Sequence, residues 1–167
     1  MTELEASADI DYDPARDLDP ELHPYSLDPQ LAQDCIRLGR FSLCELLLMN
    51  DANYPWFILV PQRSDVGEIY HLSVEDQQQL LAESSRLSSN LADIFNAHKM
   101  NVAALGNVVR QLHVHHVVRQ PDDPAWPAPV WGKLPSQPYS DEQIADIRER
   151  VNSMLADDSE YETVAEG

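Results

Sequence analysis

The chain of 167 residues is long enough for one globular domain and too short for two of ordinary size. Its 29 acidic and 11 basic residues give a net charge of −18. That balance argues against a nucleic-acid partner, because binding to phosphates depends on clustered Lys and Arg. No apolar run approaches the roughly 20 residues of a membrane span, so we expect no membrane partner either.

The acidic residues are concentrated at the two ends of the chain. Residues 1–39 carry a net charge of −8 and residues 136–167 carry −7, whereas the segment between them carries only −3. Like charges with few large apolar side chains are typical of solvated, flexible segments. The predicted organisation is an acidic flexible arm (1–25), a folded domain (26–156) and an acidic tail (157–167).

The two cysteines predict reduced thiols. Cys35 and Cys44 are nine positions apart, match no C-x-x-C spacing and cannot form a disulfide framework for a domain of this size. The N-terminus has no basic region followed by an apolar one, so no secretion signal is recognised. We therefore expect a cytoplasmic protein.

The first half of the chain predicts a short helix followed by a β-hairpin. Asp28-Pro29 is a typical helix start, and the helical pattern ends near Gly39. Two apolar runs follow, over residues 41–49 and 56–60. The turn residues Asn50-Asp51-Ala52-Asn53 separate them, as expected for a hairpin.

A long helix and further strands are predicted next. A hydroxyl and a carboxylate three positions apart, Ser73 and Asp76, resemble a capping box at the start of a helix over residues 74–97. A short strand over 100–105 precedes a turn at Gly106-Asn107. The extended run over 108–118 predicts another strand.

The remaining sequence completes the predicted fold. Residues 120–138 contain six prolines and predict an ordered, irregular loop, and Ser140 starts a last helix that ends near Leu155. We predict an α+β fold with an antiparallel sheet of about five strands, one long helix and a C-terminal helix.

The stretch from Gln111 to Arg119 contains three histidines within four positions. Because side chains alternate along a strand, one apolar face carries His116 and the opposite face is polar and solvent-facing. The polar face carries Gln111, His113, His115, Val117 and Arg119.

Three interpretations of this cluster remain open from the residues alone. A neutral imidazole is a good nucleophile near neutral pH, so His113 or His115 could carry nucleotidyl transfer. A His-x-His pair also suits a divalent metal, which His113, His115 and His116 could bind together. The third interpretation is that the histidines are structural, and His116 on the apolar face fits that role best.

The segment Gln111-Leu-His113-Val-His115 resembles the histidine triad (HIT) family, whose motif is His-φ-His-φ-His-φ-φ with φ apolar. The similarity covers residues 41–119, including the strand Ile58-Leu-Val-Pro-Gln62. The loop from Ala125 to Gly132 is similar to a bacterial subgroup described as diadenosine polyphosphate hydrolase-like. The resemblance implies a HIT-like fold and a homodimer.

The resemblance also implies a nucleotide hydrolase or nucleotidyl transferase that acts through a nucleotidyl-histidine. His113 matches the family's nucleophile. No cofactor is implied, although Mg²⁺ could arrive with the substrate. The residues implied to bind phosphate or nucleotide are His115, Gln111, Asn107, Gly106, Asn101 and Arg119.

Two departures from the motif leave an alternative open. Gln111 occupies the position of the first His and cannot gain a proton, and Val108 replaces a Ser or Thr hydroxyl. The alternative is a nucleotide-binding protein with weak or no catalysis.

Overall fold

The computed structural model describes residues 24–164 and contains one six-stranded antiparallel sheet. The predicted arm lies almost wholly outside the described residues. The elements are α1 (Pro29–Asp34), β1 (Cys35–Arg40), β2 (Cys44–Met49), β3 (Trp56–Pro61), α2 (Val74–Phe95), β4 (Lys99–Ala103), β5 (Val114–Arg119), α3 (Asp141–Met154) and β6 (Glu162–Thr163). The strand order in the sheet is β4-β5-β3-β2-β1-β6. A short 3-10 helix at Ile69–His71 precedes α2.

The α+β prediction is confirmed, and local sequence signals account for most element ends. Ser73 caps α2 by accepting a hydrogen bond from the Asp76 N–H at 3.1 Å. The helix ends at Asn96, whose positive φ of 48° gives a left-handed C-cap. Ser140 and Gln143 form a reciprocal capping box at the start of α3. Within residues 24–164, no helix combines the length and the apolarity needed to cross a membrane.

The two largest differences from the predicted element boundaries lie in α1 and β5. The helix predicted to end near Gly39 ends at Asp34, and the residues from Cys35 onwards form β1, which pairs with β2. The strand predicted over 108–118 begins only at Val114. The neighbouring strand β4 ends at Ala103, which pairs with His115, so the residues before β5 have no β4 partner.

The central strands β2, β3 and β5 are largely buried on both faces of the sheet. One face packs against α2 and α3, and the other is covered by α1, the segment before it and the Pro-rich loop 120–138. The prediction that one face of the histidine strand is open to solvent is therefore wrong, because every residue of β5 is buried. The first core includes Leu46, Leu59, Val114, Val118, Leu87, Leu91 and Val151; the second includes Leu47, Ile58, Val117, Leu27, Leu31, Ala125 and Val130.

The C-terminal segment is packed beyond the predicted boundary at 156. Arg86 of α2 pairs with Asp158 at 2.7 Å and with Glu160 at 2.6 Å. The Tyr161 ring lies 5.2 Å from the Phe41 ring, and β6 pairs with the end of β1. The sequence predicts a flexible acidic tail over 157–167, but residues 158–163 pack against the domain. The Tyr161 ring and the Arg86 guanidinium hold this segment in place.

We expect removal of this segment to destabilise the fold. A chain ending at residue 156 loses the Tyr161 packing and both ion pairs of Arg86, at a cost of about 1–2 kcal/mol. For a domain of this size, that corresponds to a melting temperature lower by about 5 °C. Calorimetry of this truncation, compared with a chain ending at residue 164, measures the effect. Equal melting temperatures would show that the segment contributes no stability.

Candidate active site

Strand β5 lies between β4 and β3 and brings His113 and His115 together at its N-terminal end. The two ring centroids are 4.8 Å apart, with an angle of 72° between the planes. His115 pairs with Ile58 of β3, and Trp56, two residues earlier in β3, faces the same side of the sheet. The strand register therefore sets Trp56 beside His115.

The backbone fixes the proton of the neutral His113 ring. The Nδ1 atom lies 2.6 Å from the carbonyl oxygen of Gln111. A carbonyl can only accept a hydrogen bond, so Nδ1 carries the proton and donates it. The lone pair is then on Nε2, which is the form that a nucleophile requires.

His115 has the opposite arrangement. The indole Nε1–H of Trp56 donates to Nδ1 of His115 at 2.9 Å, so the proton of this ring is on Nε2. Burial, with smaller contributions from His113 and His116, lowers the pKa of His115 to about 3. The two neighbouring rings thus offer one acceptor and one donor.

Aromatic side chains surround His115. The ring of Trp131, from the Pro-rich loop, lies 5.3 Å from the His115 ring and 5.3 Å from the Trp56 ring. Tyr54 packs edge-on against Trp56 at 6.5 Å. This cluster excludes water from one side of the histidine pair and strengthens the hydrogen bonds made there.

His116 points to the other side of the sheet, towards α2. Its Nδ1 donates to the Val114 carbonyl at 3.0 Å, and its Nε2 accepts from the Ser84 hydroxyl at 2.7 Å. Burial lowers its pKa to about 4. His116 is thus separated from the histidine pair. Among residues 24–164, no group of three His, Cys, Asp or Glu side chains is arranged to hold a metal ion.

Gln111 connects the site to the segment before α1. Its side-chain Oε1 accepts from the Asp28 N–H at 2.8 Å, and its Nε2 donates to the Ser26 carbonyl at 2.9 Å. A cleft of about 570 Å³ opens beside it, lined in part by Asp65 and Arg110. The amide therefore uses both its polar groups to hold one wall of this cleft.

Arg119 and Asn101 lie in a separate buried network. The Arg119 guanidinium donates to Asp123 at 2.7 and 3.1 Å, to Asn101 Oδ1 at 2.7 Å and to the Ala128 carbonyl at 2.9 Å. Arg119 is 1% exposed. The network anchors the Pro-rich loop that carries Trp131, and the structure does not bring these two residues to the histidine pair.

The turn after β4 contains the other two predicted residues. Gly106 has φ of +77°, a conformation that glycine adopts readily. Asn107 is exposed, and Val108 is 93% exposed. Sequence reasoning missed Trp56 and Trp131 as neighbours of His115. The signal for Trp56 was its place in the strand that pairs with the histidine strand.

We expect the free energy of unfolding to decrease in mild acid, because His115 and His116 are buried as neutral imidazoles. The pKa values of about 3 for His115 and about 4 for His116 lie below the ordinary value, so the unfolded chain binds up to two more protons than the folded one. Stability should fall as the pH decreases through the ordinary histidine range, by roughly 2–3 kcal/mol per pH unit. Urea unfolding between about pH 7 and pH 5 measures this slope. The His116→Leu variant should lose about half of it, and a flat profile would contradict the prediction.

A family model and several solved structures are similar to this chain. The HIT domain family model matches residues 30–122, which is more than half of the chain. A histidine triad protein from Marinobacter aquaeolei VT8 is similar, with 52% identity, a TM-score of 0.78, and coverage of 79% of this chain and 96% of that one. A histidine triad protein from Sinorhizobium meliloti 1021 has 42% identity, a TM-score of 0.77, and coverage of 79% and 98%.

A third solved structure, a histidine triad protein from Bradyrhizobium japonicum, has 40% identity and a TM-score of 0.77 over 78% of this chain and 98% of that one. No curated protein matches the chain. The family model and the three structures agree on the same domain. The chain belongs to the HIT domain family.

Proposed function

We propose that this protein is a nucleotide hydrolase or nucleotidyl transferase that works through a nucleotidyl-histidine on His113. HIT proteins are generally nucleotide hydrolases or transferases. The observation that carries the proposal is the opposite protonation of two adjacent rings. The Gln111 carbonyl leaves a lone pair on Nε2 of His113, and the Trp56 indole leaves a proton on Nε2 of His115.

The proposed reaction has two displacements. Nε2 of His113 attacks the α-phosphorus, the bond from phosphorus to the leaving oxygen or nitrogen breaks, and a proton from solvent neutralises the leaving group. The imidazolium adduct keeps its Nδ1–H on the Gln111 carbonyl. His115 donates Nε2–H to a phosphate oxygen and stabilises the charge that develops there. Water, or the hydroxyl or phosphate of an acceptor, then attacks the same phosphorus and loses its proton to solvent. The bond from phosphorus to Nε2 breaks and returns the lone pair to His113.

Phosphoanhydrides and phosphoramidates of nucleotides are the proposed substrates, and dinucleoside polyphosphates should be tested first. Two further parts are proposed to complete the binding site. They are the Pro-rich loop with Trp131 and the backbone amides at Gly106 and Asn107. The cleft beside Gln111 and Arg110 offers room for the distal part of the substrate.

Weak catalysis with nucleotide binding is the second candidate function. Gln111 makes two hydrogen bonds to the backbone of the chain itself, and neither of its groups can ionise. Val108 has no hydroxyl to offer a leaving group. A binder of this kind would hold nucleotides at the same site without accumulating an adduct.

A trapping experiment separates the two functions. The protein is mixed with dinucleoside polyphosphates and nucleoside phosphoramidates labelled at the α-phosphate, and denatured at early times. A covalent, acid-labile label on His113, together with product release, supports the enzyme. Nucleotide binding without label or turnover for any of these substrates would favour the binder.

We also propose that the reaction needs no resident metal. The histidine pair offers two nitrogen ligands, and a closed tetrahedral site takes four. Treatment with a chelator should leave both the melting temperature and the hydrolysis of a metal-free phosphoramidate unchanged. Stoichiometric zinc that is lost together with activity would contradict this. Mg²⁺ bound to polyphosphate substrates is a separate effect on rate.

We propose a homodimer formed through the open edge of the sheet. Strand β4 is an edge strand, and an apolar groove of about 520 Å³ lies between it and α2. Leu81 and Val102 on this groove are 67% and 49% exposed, which is costly for a monomer. Sedimentation of the wild-type chain and of a Val102→Asp variant tests the dimer.

The thiols are compatible with the proposed cytoplasmic location. Both cysteines are free, and Cys44 is buried. Burial raises the pKa of Cys35 to about 12 and also raises that of Cys44. Neither thiol is therefore activated for oxidation.

A further inference from the structure

We infer that Trp56 is a positioning residue that fixes the tautomer of His115, so that this imidazole presents an N–H, and not a lone pair, to the phosphate. The catalytic consequence rests on the proposed function, whereas the tautomer itself does not. The inference starts from one contact, the 2.9 Å hydrogen bond from the Trp56 indole to Nδ1 of His115.

The hydrogen-bonding chemistry of indole and imidazole allows one tautomer of His115 in this contact. An indole nitrogen can only donate, and a neutral imidazole has one donor and one acceptor. A proton on Nδ1 of His115 would set two N–H groups against each other. Trp56 is 6% exposed and His115 is 4% exposed, so water has little access to replace the lost bond. An unsatisfied buried donor is costly, and the alternative tautomer is therefore disfavoured.

The donor is itself held in place by the fold. Trp56 pairs with Val117 across β3 and β5, and its ring packs against Trp131 and Tyr54. The indole therefore cannot easily rotate away from His115. A partner locked by its own packing can set the orientation of a functional side chain.

The Nδ1 atoms of His113 and His115 have partners of opposite hydrogen-bonding character. Nδ1 of His113 faces a carbonyl acceptor, and Nδ1 of His115 faces an indole donor. Protonation of His115 would also break the bond from Trp56, since an imidazolium has no lone pair to accept it. The titratable groups nearest to His115 are His113 and His116, and neither offers a negative charge that would favour the imidazolium.

Nitrogen NMR of the protein labelled with ¹⁵N-histidine tests the tautomer directly. In the wild-type chain near neutral pH, we expect His115 as the Nε2–H tautomer, with its Nδ1 hydrogen-bonded to the Trp56 indole proton. This measurement needs neither a variant nor activity. A proton on Nδ1 of His115 in the wild-type chain would overturn the inference.

The Trp56→Phe variant tests the cause. It keeps an aromatic ring and removes the indole N–H, so His115 should shift towards a mixture of tautomers. Trp131→Phe is the matched control, because the contacts of Trp131 with His115 and with Trp56 are between rings and phenylalanine keeps an aromatic ring there. It should keep the wild-type tautomer. If the folded Trp56→Phe protein keeps a pure Nε2–H tautomer, Trp56 does not set it.

Kinetics separate this inference from the proposed function. Trp56→Phe should lower kcat by about 10–100-fold with little change in KM, as expected when the partner that orients a functional histidine is lost. The label should still appear on His113. An Nε2–H tautomer that depends on Trp56, in a protein that never forms the adduct, would support the inference and contradict the proposed function.

Discussion

Replacing His113 with alanine should reduce kcat/KM by at least about 10⁴-fold and abolish the covalent adduct. The substitution removes the only atom proposed to bond to phosphorus, and His115, which presents Nε2–H, cannot take over as nucleophile. Single-turnover assays and trapping of the labelled adduct measure both effects. His115→Ala should cost less, about 10²–10³-fold, because it removes one donor to the phosphate.

The control for this experiment is His116→Val. His116 lies in the same strand and is buried, but it contacts Ser84 and the Val114 carbonyl on the opposite face. We expect near wild-type activity and a stability lower by about 1–2 kcal/mol, because both partners lose a hydrogen bond. Unfolding curves must accompany His113→Ala as well, since His113 is itself buried. If the folded His113→Ala protein stays active, or if the folded His116→Val protein is inactive, the assignment of His113 as the nucleophile is wrong.

The second prediction with a large expected effect concerns Arg119 and the free energy of unfolding. Replacing Arg119 with methionine should destabilise the fold by about 3–5 kcal/mol, because Asp123 is left buried without its cation. The side chains of Arg119 and Asp123 are 2% and 9% exposed. Urea unfolding measures the loss. The double variant Arg119→Met, Asp123→Leu should recover much of it, because the unpaired charge is removed.

The pH dependence of stability in acid gives an independent check of the pair between Arg119 and Asp123. Burial alone would raise the pKa of Asp123, but hydrogen bonds from Arg119 and from the N–H groups of Ala125 and Gln120 more than offset it and lower the pKa. Stability from this group is present above the ordinary aspartate pKa and is lost as the pH falls through the lowered value. In Arg119→Met this contribution should shrink. A stability equal to wild type would show that the network does not anchor the loop.

The sequence predicted those elements that depend on local signals. A few neighbouring residues are enough to predict each of these features. They are the capping serine of α2, the apolar runs of the hairpin and the alternation of histidines along β5. The division of faces was also foreseeable, since His116 and His115 do point to opposite sides of the sheet.

The missed features depend on contacts between distant residues. The sequence predicts a helix over the residues of β1, because their pairing with β2 leaves no local signal. It also predicts that the polar face of β5 lies in solvent, whereas the Pro-rich loop and α1 cover it. The tautomer of His115 depends on Trp56, which is 59 positions away. Gln111 illustrates the same limit, because its two partners lie more than 80 positions earlier.

The short pairing of β6 has a consequence for self-association. A sheet with two open edges can add copies of itself without end, whereas a sheet with one open edge can only close as a pair. Glu162 and Thr163 pair with Arg40 and Gly39, and the Val164 N–H donates to the Leu38 carbonyl at 3.3 Å. Residues 162–164 thus cover half of β1 and leave β4 as the longer free edge. They thereby shorten one of the two edges at which further copies of the sheet could add.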